Sequence, residues 1–447
     1  MIIQPASPSH VREKALLVAL ETPEHQGWRV RESLEELGEL VASAGGEVAG
    51  SATQRLDRPT APYFIGKGKA EELARLAKSG GMHSIIFDDE LSPAQARNLE
   101  RLFSRKVLDR TQLILDIFAQ RAKTREGKLQ IELAQLQYLA PRLTRMWTHL
   151  SRQSGGIGTR GPGETQLEVD RRRVQERISR LERELEQVRK HRQIQRAGRK
   201  RHHWPACALV GYTNAGKSTL MNRLTEASVF AHDQLFATLD PTIRQFLLPN
   251  GQKVLISDTV GFIQKLPHHL IESFRATLEE VKEADVLIHV VDISNPNWAA
   301  QIEAVDEVLR QIGSGDKQTL HVFNKVDRLA EAAILEPILA ARPHAVALSA
   351  RTGQGVDGFY EELASMLRSW RMQVRLRIPQ ECGALLAELH RVGRVLDKRY
   401  VNNDVELTAH LPPMLAGRVQ PYLIDESENP GSGGGRETTR AVEPQGA

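Results

Sequence analysis

The pattern of apolar and polar positions changes character several times along the chain. Over residues 1–122, short apolar runs that predict buried strands alternate with amphipathic stretches of helical period. The predicted strands are residues 14–20, 47–53 and 83–87, and the predicted helices are residues 33–44, 69–78 and 93–103. Strands that alternate with helices are typical of an α/β domain, which we predict for this part of the chain.

Residues 123–201 follow a helical heptad pattern instead. Two series of apolar residues are spaced alternately by four and three positions, as in the seam of a coiled coil. The first series is Leu129, Leu133, Leu136, Ala140, Leu143, Trp147 and Leu150, and the second is Val174, Ile178, Leu181, Leu185 and Val188. Residues 151–164 between them are rich in glycine, and Pro141 is expected to kink the first helix. We predict an antiparallel coiled-coil arm with a glycine-rich tip.

Continuous apolar runs alternate with helical patterns again over residues 204–370. The predicted strands are residues 206–210, 254–257, 286–291, 320–323 and 345–348. Uninterrupted apolar strands are expected where both faces of a parallel sheet are covered. Residues 371–424 predict a small α+β domain, and residues 425–447 predict a disordered tail. The predicted fold class is therefore multidomain α/β with a mostly parallel sheet in its third part.

The composition of the chain indicates in which cellular compartment the protein is found. The chain has 447 residues, of which 40% are hydrophobic and 26% are charged, as in a soluble protein of several domains. No apolar run reaches the roughly 20 residues of a membrane-spanning helix, and the first residues lack the pattern of a secretion signal. Only two cysteines are present, Cys207 and Cys382, which favours reduced thiols. We expect a cytoplasmic monomer without membrane insertion.

The net charge of +4 is unevenly distributed. Residues 121–201 contain 21 Lys and Arg but 9 Asp and Glu, a net charge of +12, so the remainder carries −8. A basic segment in an otherwise acidic chain indicates a polyanionic partner, although charge alone leaves nucleic acid and a membrane surface both open. Arg152 and Arg160 lie in the glycine-rich stretch, where a long loop on a rigid arm is suited to contact a large partner.

Residues 211–218 read Gly-Tyr-Thr-Asn-Ala-Gly-Lys-Ser, which fits the phosphate-loop pattern in full. They follow an apolar strand and precede a predicted helix at residues 218–224, which is the context that the pattern requires. Backbone N–H groups and the positive end of the helix would surround the phosphates. Lys217 is expected to contact the β- and γ-phosphates, and Ser218 is expected to bind Mg²⁺.

A second motif, Asn324-Lys325-Val326-Asp327, selects the base. Guanine presents N1–H and an exocyclic amine on one edge, and the carboxylate of Asp327 can accept both hydrogen bonds. Adenine lacks this pair of donors, which would cost about 1–3 kcal/mol for an unpaired carboxylate. Ser349 and Ala350 follow the next predicted strand and can offer backbone N–H to guanine O6. The motifs therefore predict a site for GTP and GDP.

Two further segments match the parts of a GTPase that respond to the γ-phosphate. Asp258-Thr259-Val260-Gly261 follows a predicted strand, so Asp258 can bind a water on Mg²⁺ and the Gly261 N–H can contact the γ-phosphate. Residues 236–242 lie where the first switch belongs, and one of their threonines is expected to bind Mg²⁺ in the GTP state. Thr238 is the preferred candidate and Thr242 is the alternative.

The predicted catalytic residues are Lys217, Thr238 and Gly261, and the predicted metal ligands are Ser218 and Thr238. The predicted nucleotide-binding residues are Gly211, Tyr212, Thr213, Asn214, Ala215, Gly216, Lys217, Ser218, Phe236, Ala237, Thr238, Leu239, Asp240, Asp258, Thr259, Val260, Gly261, Asn324, Lys325, Val326, Asp327, Ser349, Ala350 and Arg351.

Phe262 occupies the position after Gly261, where many GTPases carry a glutamine that orients the attacking water. Phenylalanine cannot orient water, so slow intrinsic hydrolysis is expected. A partner, a switch residue or a monovalent cation would then have to help. Asn214 in the phosphate loop could coordinate K⁺ beside the phosphates, which makes K⁺ a candidate cofactor in addition to Mg²⁺.

Together these motifs resemble the HflX family of ribosome-associated GTPases. The resemblance is carried by residues 211–218, 236–242, 258–262, the glycine-rich residues 158–168, and residues 63–69, and it spans roughly residues 10–370. It implies that the N-terminal domain and the basic arm bind the large ribosomal subunit and its rRNA. It also implies that the protein splits stalled or idle ribosomes under stress, and that the ribosome stimulates GTP hydrolysis.

Other functions stay open from the residues alone. An RNA-processing or tRNA-modifying GTPase would carry chemistry in its N-terminal domain, but such enzymes usually need a catalytic cysteine or a cofactor motif. A regulatory switch would bind a protein target through the coiled coil. Residues 66–69, Gly-Lys-Gly-Lys, also leave open a second nucleotide site for ATP, although a turn at the start of a helix explains them equally well.

Overall fold

The computed structural model describes residues 12–23, 28–146, 162–200, 204–225, 235–236, 242–265, 275–367, 372–411 and 415–424. The chain forms two compact units, of which the first comprises the described residues up to Ala364 and the second those from Ser365 onward. In these residues no helix combines the length and the apolar character that crossing a lipid bilayer requires.

The N-terminal domain is built on a parallel sheet of order β2-β1-β3-β4. Its strands are β1 (Lys14–Glu21), β2 (Glu47–Arg55), β3 (Ser84–Phe87) and β4 (Lys106–Asp109). Its helices are α1 (Trp28–Ser43), α2 (Lys67–Ser79), α3 (Pro93–Phe103) and α4 (Arg110–Arg121). Every residue of β3 is buried, as expected for a strand covered on both faces. The α/β prediction for this region is confirmed, while β4 and α4 were not predicted.

Side-chain caps set the starts of two of these helices. The Ser92 hydroxyl accepts a hydrogen bond from the Gln95 backbone N–H, and the Gln95 side chain accepts one from the Ser92 N–H. This reciprocal pair satisfies two N–H groups that the first turn of α3 leaves free. Asp109 caps α4 in the same sense, since its carboxylate accepts from the Gln112 N–H at 2.9 Å.

The arm consists of α5 (Arg125–Met146) and α6 (Pro162–Lys200). Most of the predicted heptad residues share one apolar seam: Leu129, Leu133, Ile178, Leu181 and Leu185 are buried, and Leu136, Ala140, Val174 and Val188 pack against them. Arg177 forms two hydrogen bonds with Glu132 at 2.7 and 2.9 Å, and Arg125 lies 3.9 Å from Glu184. These two pairs require antiparallel helices. Pro141 lies inside α5, which continues to Met146. Trp147, Leu150 and residues 151–161 of the glycine-rich tip lie outside the described residues.

Asp109 fastens the arm to the N-terminal domain. Its Oδ2 accepts hydrogen bonds from the Tyr138 hydroxyl at 2.6 Å, from Arg142 at 3.2 Å and from the Leu91 backbone N–H at 3.1 Å. Burial, followed by the charge of Asp109, raises the pKa of Tyr138 far above its ordinary value, so the phenol stays protonated and donates. Because Asp109 also caps α4, three elements meet at one carboxylate.

The phosphate-loop domain begins at Trp204 and is built on a six-stranded sheet of order β10-β9-β8-β5-β7-β6. Its strands are β5 (Ala206–Val210), β6 (Thr242–Leu247), β7 (Lys253–Asp258), β8 (Val286–Asp292), β9 (Thr319–Asn324) and β10 (Ala345–Ala347). Its helices include α7 (Lys217–Thr225), α8 (Arg275–Glu283), α9 (Trp298–Gln311), α10 (Leu335–Ala340) and α11 (Val356–Met366). All strand pairs are parallel except β6 with β7, so the prediction of a mostly parallel sheet is confirmed. The sequence did not predict β6.

The N-terminal and phosphate-loop domains share one continuous apolar core. It contains Leu17 and Phe118 from the first domain together with Val210 and Phe236 from the second. The rings of Phe118 and Phe236 meet edge to face, with centroids 4.6 Å apart. The N-terminal domain is therefore packed directly against the elements that surround the phosphate loop.

The second unit contains an antiparallel sheet of order β11-β13-β12. Its elements are β11 (Met372–Pro379), α12 (Gly383–Val392), β12 (Arg394–Val401), β13 (Asp404–Leu411) and α13 (Ala416–Val419). Leu385 and Leu389 of α12 are buried against the sheet. The small α+β domain is thus confirmed, and the tail at residues 425–447 lies outside the described residues.

Candidate functional site

The phosphate loop joins β5 to α7, and two of its positions admit only glycine. Gly211 has a φ of +146°, and a Cβ there would lie 2.2 Å from the carbonyl oxygen of Val290. Gly216 has a φ of +97°, and a Cβ there would lie 2.2 Å from the Nδ2 atom of Asn324. Neighbouring strands thus approach the loop too closely for any side chain. The other predicted loop residues that are buried are Tyr212, Thr213, Ala215 and Lys217.

Lys217 lies at the end of the loop and begins α7. Its Nζ donates hydrogen bonds to the carbonyl oxygens of Gly211 at 3.0 Å and Tyr212 at 2.7 Å. Burial lowers the pKa of Lys217 to about 8, and the nearby Asp258 opposes this shift. Neutral carbonyl oxygens thus hold the ammonium group, for which an anionic phosphate would be a stronger partner.

Ser218 and Asp258 bring two oxygen atoms together beside the loop. The Ser218 hydroxyl donates to Oδ2 of Asp258 at 2.6 Å. Asp258 ends β7, and Thr242, the alternative first-switch threonine, pairs with it at the start of β6. Hydroxyl and carboxylate oxygens are ligands that Mg²⁺ prefers, so this pair of oxygen atoms fits a magnesium ion beside Ser218, where the sequence predicts one.

Residues 261–265, which we call the second-switch segment, begin folded against the phosphate loop. The Thr213 N–H donates to the carbonyl oxygen of Phe262 at 2.8 Å, and the Phe262 N–H donates to that of Gly211 at 3.1 Å. A Cβ at Gly261 would lie 2.9 Å from Cα of Thr213 and 3.0 Å from Nζ of Lys217. Gly261 is therefore in tight contact with the residues predicted to bind phosphate.

The side chains around Gly261 face the protein interior. Phe262 is 3% exposed and belongs to the apolar core, so its ring is not placed to orient water. Thr259 is fully buried, and its hydroxyl donates to the carbonyl oxygen of Leu209. Val260 is buried as well. Between Thr259 and Phe262, only the backbone is left to face a bound phosphate.

Asn324 joins the base-recognition loop to the phosphate loop. Its Nδ2 donates to the carbonyl oxygen of Ala215 at 2.8 Å, and its Oδ1 accepts from the backbone N–H of Ala350 at 2.9 Å. The side chain is 2% exposed, so both ends of a buried amide are satisfied. One residue therefore fixes the relative position of three loops.

Asp327 lies in a short 3₁₀ turn after β9 and is exposed. A hydrogen bond from the Ser349 hydroxyl lowers the pKa of Asp327, so the carboxylate is ionised and oriented. Lys325 precedes it with a φ of +67°, and its Nζ lies 2.7 Å from Oδ2 of Asp292. An ionised, oriented carboxylate can accept two hydrogen bonds from one edge of a base.

Arg223 of α7 supports this region, although it belongs to none of the motifs. Its Nε donates to the carbonyl oxygen of Ala350 at 3.2 Å, and its guanidinium also donates to that of Arg351. The helix that follows the phosphate loop thus holds the loop that is predicted to meet the guanine. A single arginine at this spacing carries no signal that would distinguish it from a solvated helix residue.

The N-terminal domain contacts two predicted nucleotide-site residues. The Tyr212 hydroxyl donates to the carboxylate of Glu36 in α1, and Phe236 packs on Phe118 in α4. Sequence reasoning did not find these contacts, because they join separate domains. Of the remaining first-switch predictions, those outside the described residues are Ala237, Thr238, Leu239 and Asp240.

Residues 66–69, the candidate for a second nucleotide site, begin α2. The Gly66 N–H donates to Oε1 of Gln54 at 2.8 Å, and Lys69 pairs with Glu72 at 2.8 Å. These are ordinary contacts at the start of a helix. They support the interpretation of a helix start, while the alternative of a separate ATP site stays open.

A buried lysine, a pair of oxygen ligands and a base-edge carboxylate thus surround the carboxyl ends of the parallel strands β5, β7, β8 and β9. Parallel α/β sheets bind their ligands at this edge. The arrangement can hold a guanine nucleotide and stabilise negative charge on a transferred phosphoryl group.

Three family profiles match consecutive parts of the chain. They are described as GTP-binding GTPase N-terminal over residues 31–119, GTP-binding GTPase Middle Region over residues 121–199, and 50S ribosome-binding GTPase over residues 206–325. A GTP-binding protein from the archaeon Sulfolobus solfataricus, solved in complex with GDP, is 25% identical, with a TM-score of 0.43 over 79% of this chain and 98% of its own.

Two curated relatives match over nearly the whole chain. GTPase HflX of Lacrimispora saccharolytica is 47% identical over 406 residues, which cover 91% of this chain and 95% of the relative. GTPase HflX of Escherichia coli is 47% identical over 403 residues, which cover 88% of this chain and 94% of the relative. With the P-loop site described above, these matches show that the chain is a GTP-hydrolysing enzyme that belongs to the HflX family of GTPases.

Proposed function

We propose that this enzyme binds the large ribosomal subunit and hydrolyses GTP to GDP and phosphate as it splits or rescues stalled or idle ribosomes under stress. The observation that carries the proposal is the attachment of a strongly basic arm to the same compact unit as the nucleotide site. We place the enzyme in the cytoplasm, where ribosomes are found and where cysteines such as Cys207 and Cys382 stay reduced. A monomer suffices, because one chain carries both the site and the arm.

In this proposal the phosphate loop binds the nucleotide phosphates through the N–H groups of residues 211–218 and through Lys217. Asn324 holds the loops in register, and Asp327 accepts hydrogen bonds from guanine. Ser218 and Thr238 would hold the magnesium ion that accompanies GTP, and the ion would neutralise negative charge on the phosphates. The oxygen pair of Ser218 and Asp258 supports this assignment.

Hydrolysis needs a group that orients the attacking water, and the side chain of Phe262 in the second-switch segment cannot do so. Phe262 is buried in the core, so water has to be oriented from elsewhere. We assign this help to the ribosome and, beside the phosphates, to K⁺ at Asn214. Asn214 is exposed, with a φ of +60°, so its side chain is accessible to solvent.

The arm has the charge and the rigidity that an RNA contact needs. Its apolar seam and the Arg177–Glu132 pair hold α5 and α6 together, and Asp109 fixes α5 to the N-terminal domain. On α6, three consecutive arginines are exposed: Arg171, Arg172 and Arg173. Clustered, outward-facing arginines suit the phosphate backbone of rRNA and give binding that depends on salt.

The test is co-sedimentation of the full chain with purified large subunits in the presence of a non-hydrolysable GTP analogue. We expect binding that weakens as salt is raised. The variant R171E/R172E/R173E should bind at least about tenfold more weakly, because roughly one phosphate contact is lost per arginine. The matched control R171K/R172K/R173K keeps the charge and should stay close to the parent chain. Absence of sedimentation at low salt contradicts the proposal.

The alternative of an RNA-modifying GTPase needs a reactive nucleophile, and the two cysteines do not favour it. Cys207 is 1% exposed in β5, and burial raises the pKa of its thiol well above the ordinary value. Cys382 lies in the second unit, where its sulfur is 3.6 Å from the Tyr422 hydroxyl. The variant R171E/R172E/R173E also separates the main proposal from a coiled-coil switch with a protein target. Binding of a protein through the coiled coil would depend on apolar residues, so charge reversal should affect it little.

A further inference from the structure

We infer that Lys265 sets the preference of this site for GDP over GTP, because it ties the second-switch segment to two aspartates of the N-terminal domain. The inference rests on the proposed nucleotide-binding roles of Lys217 and Gly261. It adds a specificity-determining contact that lies outside every nucleotide-binding motif of the chain.

Lys265 reaches from the phosphate-loop domain into the N-terminal domain. Its Nζ contacts the carboxylate of Asp88 and lies 2.7 Å from Oδ1 of Asp89. The lysine side chain is 31% exposed, while Asp88 is 1% exposed. The backbone of Lys265 has a φ of +55°, an angle that non-glycine residues seldom adopt. This conformation persists only where surrounding contacts hold it, and the two aspartates provide such contacts.

The anchor on the N-terminal side is itself fixed. Asp88 accepts hydrogen bonds from Arg110 at 2.6 Å and from the Ser33 hydroxyl at 2.6 Å. Arg110 is 2% exposed and also pairs with Glu36 of α1. A buried charge network of this kind resists rearrangement, because breaking one pair leaves an unpaired charge in the interior. Through Asp88, Lys265 therefore contacts a buried carboxylate that is fixed by other partners.

The same network reaches the phosphate loop. Glu36 accepts a hydrogen bond from the Tyr212 hydroxyl, and that hydroxyl accepts one from the Gln264 backbone N–H at 2.9 Å. The second-switch segment is thus held at both ends. Phe262 is hydrogen-bonded to the backbone of the phosphate loop, and Lys265 is bound to the N-terminal domain.

A γ-phosphate has to enter where this segment now packs. The phosphate-loop lysine and the Gly261 N–H both have to reach γ-phosphate oxygens, each across a hydrogen bond of about 2.7–3.0 Å. A Cβ at Gly261 would lie only 3.0 Å from Nζ of Lys217, so the Gly261 backbone and the ammonium group lie close together in this structure. The second switch is the part of a GTPase that rearranges with the γ-phosphate, so in this proposal residues 261–265 shift when GTP binds and stay in place when GDP binds.

Movement of the segment strains the contacts of Lys265 with Asp88 and Asp89. These contacts consequently oppose GTP and leave GDP unaffected, which defines a coupling between the nucleotide and the domain contact. The coupling is reciprocal, so any partner that draws the N-terminal domain away from Lys265 raises the affinity for GTP. Asp88 directly follows β3, and Asp109 ends the neighbouring strand β4. The residue that binds Lys265 and the residue that holds the arm therefore lie side by side at the same edge of the sheet.

The experiment measures dissociation constants of the full chain for fluorescent GDP and for a fluorescent non-hydrolysable GTP analogue. The variants are Lys265→Ala, Asp89→Ala and the double variant, with Lys282→Ala, an exposed lysine of α8, as the matched control. We expect Lys265→Ala to improve analogue affinity relative to GDP by about five- to tenfold. Asp89→Ala should shift the ratio in the same direction, and the double variant should shift it no further than Lys265→Ala alone. Lys265→Arg should restore the parental ratio.

An unchanged affinity ratio in Lys265→Ala overturns the inference. So does an equal change for both nucleotides, which would mark Lys265 as merely structural. If the parent chain binds GDP and the ratio still does not move, only this inference fails. If the parent chain binds neither nucleotide, the nucleotide-site roles under the proposed function fail instead.

Discussion

The side-chain amide of Asn324 donates a 2.8 Å hydrogen bond to the carbonyl oxygen of Ala215, which lies 109 residues earlier in the chain. The same amide accepts from the N–H of Ala350. The loop that meets the phosphates and the loops that meet the base are therefore positioned by one buried group. Phosphate binding and base selection should fail together when this group is lost.

We predict that Asn324→Ala weakens GDP binding by roughly 10- to 100-fold, because it leaves the Ala215 carbonyl and the Ala350 N–H unpaired in the interior. The variant Asn324→Asp keeps the acceptor for Ala350 but replaces the donor to Ala215 with a buried anionic oxygen that repels the carbonyl, so GDP affinity should fall at least as much as in Asn324→Ala. Isothermal titration with GDP gives the affinities, and thermal unfolding checks that both variants fold. Near-parental affinity in the alanine variant would refute the bridging role.

Asp327→Asn should reverse the base preference. The amide now donates where guanine also donates, whereas xanthine presents an acceptor at that position. We expect GTP affinity to fall by at least about tenfold and xanthosine triphosphate to become the better ligand. Competition of the two nucleotides against fluorescent GDP measures the change. An unchanged preference would remove Asp327 from the base contact.

Intrinsic turnover should be faster in K⁺ than in Na⁺ buffer at equal ionic strength, if K⁺ bound at Asn214 compensates for the missing glutamine. Asn214→Ala should remove the difference between the two salts and keep the Na⁺ rate. The measurement is phosphate release by the full chain without ribosomes. Equal rates in the two salts with the parent chain would exclude the cation.

Much of this fold could be predicted, because long periodic patterns and complete motifs are local properties of a sequence. The missed elements were those without such a pattern. β4 has four residues and passes directly into α4 at Asp109, so it offers no alternation to count. β6 is an antiparallel edge strand of mixed polarity, with only Phe246 fully buried, and it does not resemble the apolar strands beside it.

The contacts around Tyr212 were missed for a different reason. Glu36 and Arg110 are ordinary charged residues of amphipathic or apolar helices, and nothing local distinguishes a buried arginine from an exposed one. Their role arises only when α1, α4 and the phosphate loop meet, which is a property of tertiary packing. Likewise, Lys265 lies just after the motif at residues 258–261 and outside it, so no local pattern indicates its contact with the N-terminal domain.

Stability should fall as the pH is lowered below about 6.5, partly through two neighbouring histidines of β8 and β9. Burial lowers the pKa of His289 to about 3 and that of His321 to about 4, and their rings lie 5.6 Å apart. Between pH 6.5 and 4 the unfolded chain binds more protons than the folded one, so each histidine costs up to about 1.4 kcal/mol per pH unit in that window.

The comparison is urea unfolding at pH 7 and pH 5 for the parent chain and for H289Q/H321Q. The double variant starts less stable at pH 7, because it loses packing in the core, but its midpoint should fall less between the two pH values. The same fall in both chains would show that these histidines do not contribute to acid sensitivity.

The most direct test of the account is the rate of GTP hydrolysis by the full chain with and without purified large ribosomal subunits, in Mg²⁺ buffer at low salt. A site whose second-switch side chain is buried should gain its missing catalytic help from the partner. We predict at least about tenfold stimulation by saturating subunits, and loss of that stimulation in R171E/R172E/R173E. An unchanged rate with saturating subunits would contradict the account.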